Sequence, residues 1–207
     1  MKRVGYLIPR IASLDNLNLA YYKAKKGKSA KPEVRDFGKN LDAHLCEILR
    51  QIERGEVLVG NYHYFTIYDP KERRICAAAF PERVLHHALM NVCHPYFEDF
   101  QISDSYATRP DKGTFKAIDR AMQFHLQNTY YLKLDIRKYF DSIDHHILLR
   151  MLHRRFKDPV LMSIFEKIIH SYEVSPGKGV PIGNLTSQYF ANHYLALLDH
   201  FVKEELG

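Results

Sequence analysis

Tyr130-Tyr131-Leu132-Lys133-Leu134-Asp135-Ile136-Arg137-Lys138-Tyr139-Phe140-Asp141-Ser142-Ile143-Asp144 is the stretch on which the fold turns. Its first five residues are mostly aromatic and aliphatic, which predicts a short, half-buried strand over Tyr130–Leu134. That strand delivers a carboxylate, Asp135, at its end and an aromatic ring, Phe140, five residues later. A lone Asp in such a place most often caps the turn that follows. Here Ser142-Ile143-Asp144 supplies a cap for the next helix, and Asp141 sets a second carboxylate beside Tyr139-Phe140. Asp135 is released from capping. A hard oxygen ligand at a strand end suits Mg2+, which shares its remaining positions with water and substrate phosphates.

The rest of the 207-residue chain has the composition of an ordinary globular protein, 46% hydrophobic and 26% charged, with room for a sizeable core. The formal charge is +6, and all of the excess lies in residues 1–74, where fifteen Lys/Arg face nine Asp/Glu. Residues 75–207 are balanced at fifteen of each. Such asymmetry fits a solvated basic face as well as it fits a polyanionic partner. The three cysteines, Cys46, Cys76 and Cys93, form no Cys-x-x-Cys pair and leave an odd number, which argues against a disulfide scaffold. Met1-Lys2-Arg3 leads into a mixed segment with no apolar run long enough for a signal peptide or a spanning helix. The expectation is a reduced, soluble, cytoplasmic protein that contacts no membrane.

Hydrophobic period places the other elements. Lys23–Lys31 is basic and contains Gly and Ser, which predicts a mobile loop or a frayed helix end. Leu41, Leu45, Ile48, Leu49 and Ile52 predict a helix from Asp36 to Arg54, ended by Gly55. Tyr62–Tyr68 and Arg74–Phe80 read as a hairpin around the turn Asp69-Pro70-Lys71-Glu72. Pro81 opens a helix that Pro95 is expected to disrupt. Ser103–Gly113 is a polar loop, and Thr114 begins a helix with Phe115, Ile118, Ala121, Met122 and His125 on one face. Asp144 caps a helix to Phe156, and another follows from Pro159 to Tyr172. Leu185–Leu206 is helical and apolar on two stripes, Leu195/Leu198/Val202 and Phe190/Tyr194/Leu197/Phe201, which predicts burial on more than one side. The pairs His86-His87, Cys93-His94 and His145-His146 match no common ligand spacing, so zinc is not expected.

One more phrase carries chemistry. Val180-Pro181-Ile182-Gly183-Asn184-Leu185-Thr186-Ser187-Gln188 opens the last helix. Its Asn, Thr and Ser are cap-type residues. Gly183 also removes a side chain where a backbone could approach a base pair, and Thr186, Ser187 and Gln188 project polar groups from the first turn. This phrase resembles the Ile-Gly-x-x-x-Ser-Gln signature of reverse transcriptases from diversity-generating retroelements. Tyr131–Asp144 is similar to the catalytic-Asp block of reverse transcriptases in general. Ser105–Thr114 resembles the family's loop before the palm, and Lys71–Arg83 its fingers block, with Glu82-Arg83 where the family has Asp-Arg.

The resemblance, over roughly Asp36–Gly207, implies an α+β right-hand polymerase. It divides the chain into a basic N-terminal extension (1–35), fingers (36–127) and a partial palm (128–207), helix-rich with a fingers β-hairpin and an incomplete palm sheet. It implies RNA-directed DNA synthesis with two Mg2+ ions, Asp135 as the catalytic residue, and Asp135 with Ile136 as metal ligands. In such a reaction one ion activates the attacking hydroxyl and the other steadies the leaving pyrophosphate. Lys71, Arg73, Arg74, Arg83, Phe140 and Gln188 become the dNTP-binding set, with Phe140 excluding a ribose 2′-OH. Arg109, Lys112, Gly183, Asn184 and Ser187 become contacts to template and primer. The implied partners are template-repeat RNA, the cDNA or primer, dNTPs and a basic accessory variability protein.

The family's Tyr-x-Asp-Asp hairpin and thumb are not in these 207 residues, and no Asp-Asp pair occurs. The expectation is that this polypeptide alone is inactive, whether as a truncated chain, a gene fragment or half of a split enzyme, and that the stripes of its last helix lack cover. Two other readings stand beside this one. One is a non-catalytic RNA-binding module built on the basic N-terminal third. The other is a polymerase of the group II intron, retron or phage-defence type, which the Ser187-Gln188 ending disfavours.

Overall fold

A computed structural model describes residues 3–68 and 71–206. It is helix-rich α+β. In chain order come α1 Ile8–Ile11, α2 Leu14–Lys25, α3 Pro32–Lys39 and α4 Leu41–Arg54, then the strands β1 Tyr62–Tyr68 and β2 Glu72–Ala78. The helices α5 Phe80–Glu98, α6 Thr114–Gln127, α7 Tyr139–Ser142, α8 His145–Arg155, α9 Pro159–His170 and α10 Leu185–His200 follow, and a π-helical turn, Phe201–Glu205, continues α10. No helix among the described residues is long and apolar enough to cross a membrane.

The core is organised by α5. Val84, Leu85, Ala88, Leu89, Val92 and Cys93 are buried on all sides of it, the pattern of a helix enclosed by neighbours. At its C-terminal end Phe97 joins an aromatic cluster with Phe156, Phe165, Tyr189 and Phe190, ring centroids 5.3–6.4 Å apart. Pro95 was expected to disrupt this helix and does not; α5 runs on to Glu98. Proline's fixed φ is compatible with a helical turn and removes one backbone bond, a loss offset by the burial of Phe97 two residues later.

Other boundaries follow local chemistry. The period read over 36–54 divides at Asn40, whose φ of −125° and ψ of 46° separate α3 from α4. Gly55 ends α4 in the left-handed region at φ 67°. Asp144 caps α8, its Oδ1 accepting from the Ile147 amide at 3.0 Å. The hairpin forms with β2 shifted two residues toward the N-terminus of the expected span. Phe80 starts α5 and is buried against Phe37 and Tyr21 instead of extending the strand. Glu72 pairs with Tyr68 and belongs to β2 rather than to the turn; Asp69 and Pro70 lie outside the described residues.

The expected strand Tyr130–Leu134 does not form. No strand among the described residues lies beside it, and an extended segment without a neighbour has no ladder for its backbone groups. Tyr130, Tyr131, Leu132 and Leu134 are therefore exposed rather than half-buried, Tyr131 at 88%. Phe115, Ile118, Met122 and Leu126 of α6 are exposed as well, and so are Leu197, Leu198, Phe201 and Val202 at the end of α10 and the turn that continues it. Asp104 ties these elements together, pairing with Arg120 of α6 at 3.0 Å and with Lys203 at 2.9 Å.

The N-terminal segment is built into the same core. Leu7, Ile11, Leu17, Ala20, Tyr21 and Ala24 are buried, and α2 lies along α5. Val4 bridges to Phe156, with Val4 N donating to Arg155 O at 2.9 Å. Asp158 completes the attachment. One oxygen accepts from the amides of Leu7 and Ile8, at 3.0 and 3.4 Å, and the other caps α9 at Leu161, at 3.3 Å. A single buried carboxylate thus serves two helix starts 151 residues apart. Asp158→Ala removes a cap and orphans buried amides, so it should lower stability by about 2–3 kcal/mol, read as a lower urea midpoint at unchanged slope. Asp158→Asn, which keeps one acceptor oxygen, should lose less.

Candidate functional site

The phrase Val180–Gln188 docks on the free edge of β2. In the antiparallel pair the amides of Cys76 and Ala78 point away from β1, and both find partners in the phrase. Cys76 N donates to Ile182 O at 2.7 Å, and Ala78 N donates to Asn184 Oδ1 at 3.1 Å. Gly183 sits between them at φ 119°, where a Cβ would stand 2.8 Å from the Ile75 side chain and 3.3 Å from the Cys76 carbonyl. The close approach that needs a glycine here is to the strand. Gly183→Ala combines that clash with a left-handed backbone. It should cost about 1–3 kcal/mol and lower the melting temperature by several degrees, with the phrase lifted from β2.

Between the phrase, the hairpin and the N-terminal segment lies a cavity of about 290 Å³. Phe65, Ile75 and Ala77 form its hairpin wall; Gly183, Asn184, Leu185 and Gln188 form the wall of the phrase. Ala24, Lys28, Lys31, Arg83, His86 and His87 close the rest. Alternation along β2 puts Arg73 on the same face as Ile75 and Ala77, toward the cavity. Arg74 falls on the other face, its guanidinium over the Tyr64 ring at 4.4 Å. Lys71 is exposed beside the hairpin turn. Arg83 is held from behind, its Nε donating to Ala78 O at 2.7 Å and Nη1 lying 3.6 Å from Glu33. Asn184 is 3% exposed, and its Nδ2 has no partner among the described residues.

The floor of this region is unusual in charge. Glu82 is buried, and its Oε2 accepts from the Gly60 amide at 3.1 Å. Burial pushes its carboxyl up to about 7, against the pull of the Gly60 and Asn61 amides. His86, with Nε2 3.5 Å from Glu82, is pushed down to about 3 by burial and then by His87. His87 falls to about 4, from burial first and then Lys23 and Lys28. At neutral pH both imidazoles are therefore uncharged.

Asp135 and Ile136 stand on the exposed segment that precedes α7. Lys138, at φ 50° and ψ 50°, turns the chain into α7. Phe140 is half-buried there and lies at the root of the phrase, its carbonyl accepting from the Val180 amide at 3.0 Å. Tyr139 donates to the Ala191 carbonyl at 2.5 Å and fixes α7 to α10. Arg109 and Lys112 are in the polar loop. Arg109 donates to both Glu98 oxygens and to the carbonyls of Ile102 and Ser105. Lys112 donates to the Ser103 carbonyl at 2.6 Å over the Tyr106 ring. Ser187 is buried.

The structure thus brings Arg83, Gly183, Asn184 and Gln188 to one cavity, with Arg73 on the adjoining strand face and Phe140 next to the phrase. It leaves Asp135 and Ile136, Arg74, Lys71, Arg109, Lys112 and Ser187 outside that lining. Lys28, Lys31, His86 and His87 line the cavity and had no part in the sequence-derived set. The basic run Lys23–Lys31 was the available signal, but nothing local tells which strand it faces. No group of three His, Cys, Asp or Glu side chains that could hold a metal ion occurs among the described residues.

Protein YkfC of Escherichia coli is 27% identical over 192 residues, which cover 84% of this chain and 50% of that protein. The putative COX1/OXI3 intron 2 protein of Saccharomyces cerevisiae is 22% identical over 93% of the chain and 21% of its own length. The group II intron-encoded protein LtrA of Lactococcus lactis is 25% identical over 64% of the chain and 23% of its own length. The chain therefore spans about half, or less, of the length of these relatives. The family model described as reverse transcriptase (RNA-dependent DNA polymerase) matches residues 69–206, and with the hairpin, the docked phrase and the basic cavity in place, the chain belongs to the reverse transcriptase family.

Proposed function

We propose that the chain supplies the fingers (36–127) and part of the palm (128–207) of an RNA-directed DNA polymerase, with residues 1–35 as a basic element beside the fingers. The observation that carries this reading is the convergence of Arg83, Gly183, Asn184 and Gln188 on one basic cavity against the hairpin. Arg73 and Arg83 offer guanidinium forks to nucleotide phosphates on the cavity side, and Lys71 and Arg74 reach the triphosphate from the hairpin's tip and far face. Phe140 stands below the sugar and excludes a 2′-OH. Gln188 faces the nascent base pair. Arg109, fixed by Glu98, sets the loop that presents Lys112 to the template backbone.

Asp135 and the Ile136 carbonyl are the oxygen ligands this chain would offer to Mg2+. The described residues do not make an ion site by themselves: one carboxylate and one carbonyl leave an octahedral ion mostly to water, phosphate and further acids. What these residues do without the ion is position: cations hold the phosphates, and Phe140 and Gln188 orient the sugar and base.

Within this class we favour an enzyme of a diversity-generating retroelement, which copies a template-repeat RNA into mutagenised cDNA with a basic accessory variability protein. The Ile182-Gly183-Asn184-Leu185-Thr186-Ser187-Gln188 phrase supports it. The names of the intron-encoded relatives support a second reading, a group II intron enzyme. Primer extension on a defined RNA by the polypeptide that the gene encodes tests both. Errors concentrated opposite template adenines favour the first, uniformly rare errors favour the second, and absence of any extension removes the polymerase reading.

A further inference from the structure

Glu82 and Arg83 are neighbours in the first turn of α5, and each is bonded to a different side of the hairpin. Glu82 Oε2 accepts from the amide of Gly60, just before β1, at 3.1 Å. Arg83 Nε donates to the carbonyl of Ala78, the last residue of β2, at 2.7 Å. A Glu at the third position of a helix commonly turns back to the amide of its own N-cap. Here that amide, Ala79 N, already donates to Asn61 O at 3.0 Å. The Glu82 side chain crosses instead to a residue 22 positions upstream.

These bonds sit at the one supported end of the hairpin. Cys76 and Ala78 of β2 are buried, whereas Glu72, Arg73 and Arg74 are exposed, and β1 is exposed from His63 to Thr66. The sheet has no third strand among the described residues. Lys71, Arg73 and Arg74 therefore ride on an arm that the core grips only at its root. Arg73 lies five residues from Ala78, about 17 Å along the strand at about 3.3 Å per residue. A rotation of about 10° at the root would carry it through about 3 Å, and a misplacement of about 1 Å is already enough to slow a reaction severely.

The two sides of the root are not held alike. β2 is held by Arg83, by Asn184 Oδ1 on the Ala78 amide and by Ile182 O on the Cys76 amide. On the β1 side stand Glu82 and the contact of the Tyr62 hydroxyl with Ser171 Oγ at 2.5 Å. Without an acceptor at position 82 the entry to β1 would hang on one hydroxyl and on β2 itself.

We propose that Glu82 is a positioning residue for nucleotide binding: it anchors the root of β1, sets the angle at which the hairpin leaves the core, and so places Lys71, Arg73 and Arg74 over the triphosphate. The inference rests on the polymerase reading.

The test compares the polypeptide that the gene encodes with its Glu82→Gln and Glu82→Met variants. Glutamine keeps an acceptor oxygen for Gly60. Its NH2 group finds an acceptor in His86 Nε2, which lies 3.5 Å from Glu82 Oε1 and has no hydrogen-bond partner among the described residues. Methionine keeps the length of the side chain and removes the acceptor. In primer extension on a fixed RNA template, below the melting range, Glu82→Met should raise KM for dNTP about tenfold with kcat within about twofold and primer-template affinity unchanged. Glu82→Gln should restore the parent KM. Amide hydrogen exchange should quicken over residues 60–78 in the Met variant and stay as in the parent elsewhere. Glu82→Ala, which admits water to the Gly60 amide, is the second variant for removing the acceptor and should give the same split, so that the test stands if Glu82→Met does not fold. An unchanged KM in a folded Met or Ala variant overturns the proposal. So does a Gln variant as impaired as those two, because it retains the acceptor, and so does unaltered exchange in the hairpin. Absence of extension by the parent itself would instead remove the polymerase reading, and the exchange comparison would still decide whether Glu82 anchors β1.

Discussion

Asp135→Asn should reduce primer extension on the order of a thousandfold, about 4 kcal/mol of transition-state stabilisation, while the thermal midpoint stays within about 1 °C of the parent. The two halves of this expectation have separate physical grounds. Asparagine keeps the shape and loses the charge, so any ion that relies on a carboxylate at this place is no longer neutralised. Stability is spared because Asp135 is exposed, on a segment outside helix and strand. It accepts no hydrogen bond from any described residue, so nothing in the fold depends on its charge. The assay uses the polypeptide that the gene encodes, with melting followed in parallel. Extension that survives the substitution would remove Asp135 from the reaction. Extension lost together with a large drop in melting temperature would make its role structural.

Acid is expected to unfold the chain well above the usual carboxylate range. His86, His87 and His193 are all held below the ordinary histidine value of 6.5, at about 3, 4 and 4, in each case chiefly by burial. His193 is 1% exposed between Phe97 and Phe100, with neither ring nitrogen partnered by a side chain or ligand. A group with a depressed folded value contributes stability that is complete above the unfolded value and is lost as pH falls toward the folded one. Glu82 acts in the opposite sense. Its folded value near 7 lies above the ordinary 4.5, so its contribution is complete below 4.5 and fades as pH rises through 7.

Between pH 6.5 and 4.5 the unfolded chain gains up to three protons at the histidines while the folded chain holds one more at Glu82. The net difference is about two, which corresponds to about 2–3 kcal/mol per pH unit at the steepest. A domain with about 5–15 kcal/mol in hand is exhausted within a few units. Melting temperatures from pH 7.5 to 4.5 should fall sharply below 6.5, and Glu82→Gln should steepen the fall by removing the opposing group. A flat profile over that window would show that these imidazoles are protonated without loss of the fold.

Elements whose stability is local were legible in the sequence. Gly55 stops α4 because only a left-handed residue closes that turn, and Asp144 and Pro159 mark their helices by capping chemistry. Elements decided by distant partners were less so. The apolar run Tyr130–Leu134 has strand composition, yet composition does not supply a neighbour, and the described residues contain none. Phe80 has the same β-forming character and goes to α5, because Phe37 and Tyr21 offer a pocket that no pattern over 74–80 reveals.

The candidate site divides along the same line. Arg83, Gly183, Asn184 and Gln188 were named from short phrases and meet at the cavity. Gly183 was read as making room for a base pair, whereas the strand beneath it already demands a glycine. Arg109 looked like a free template contact, but its guanidinium is committed to Glu98 and two carbonyls. Lys28 and Lys31 were hidden because proximity to Arg83 comes from a chain reversal far along the sequence.

The carboxylate of Asp158 also has a consequence in time. Leu7 and Ile8 obtain their acceptor from a residue 151 positions later, so their helix start cannot be completed until that residue has been synthesised and folded. At about 5–20 residues per second that interval is roughly 8–30 s on the ribosome. During it the start of α1 has no acceptor for its first amides, and slow translation up to residue 158 would lengthen the time that this end of the chain waits to be pinned.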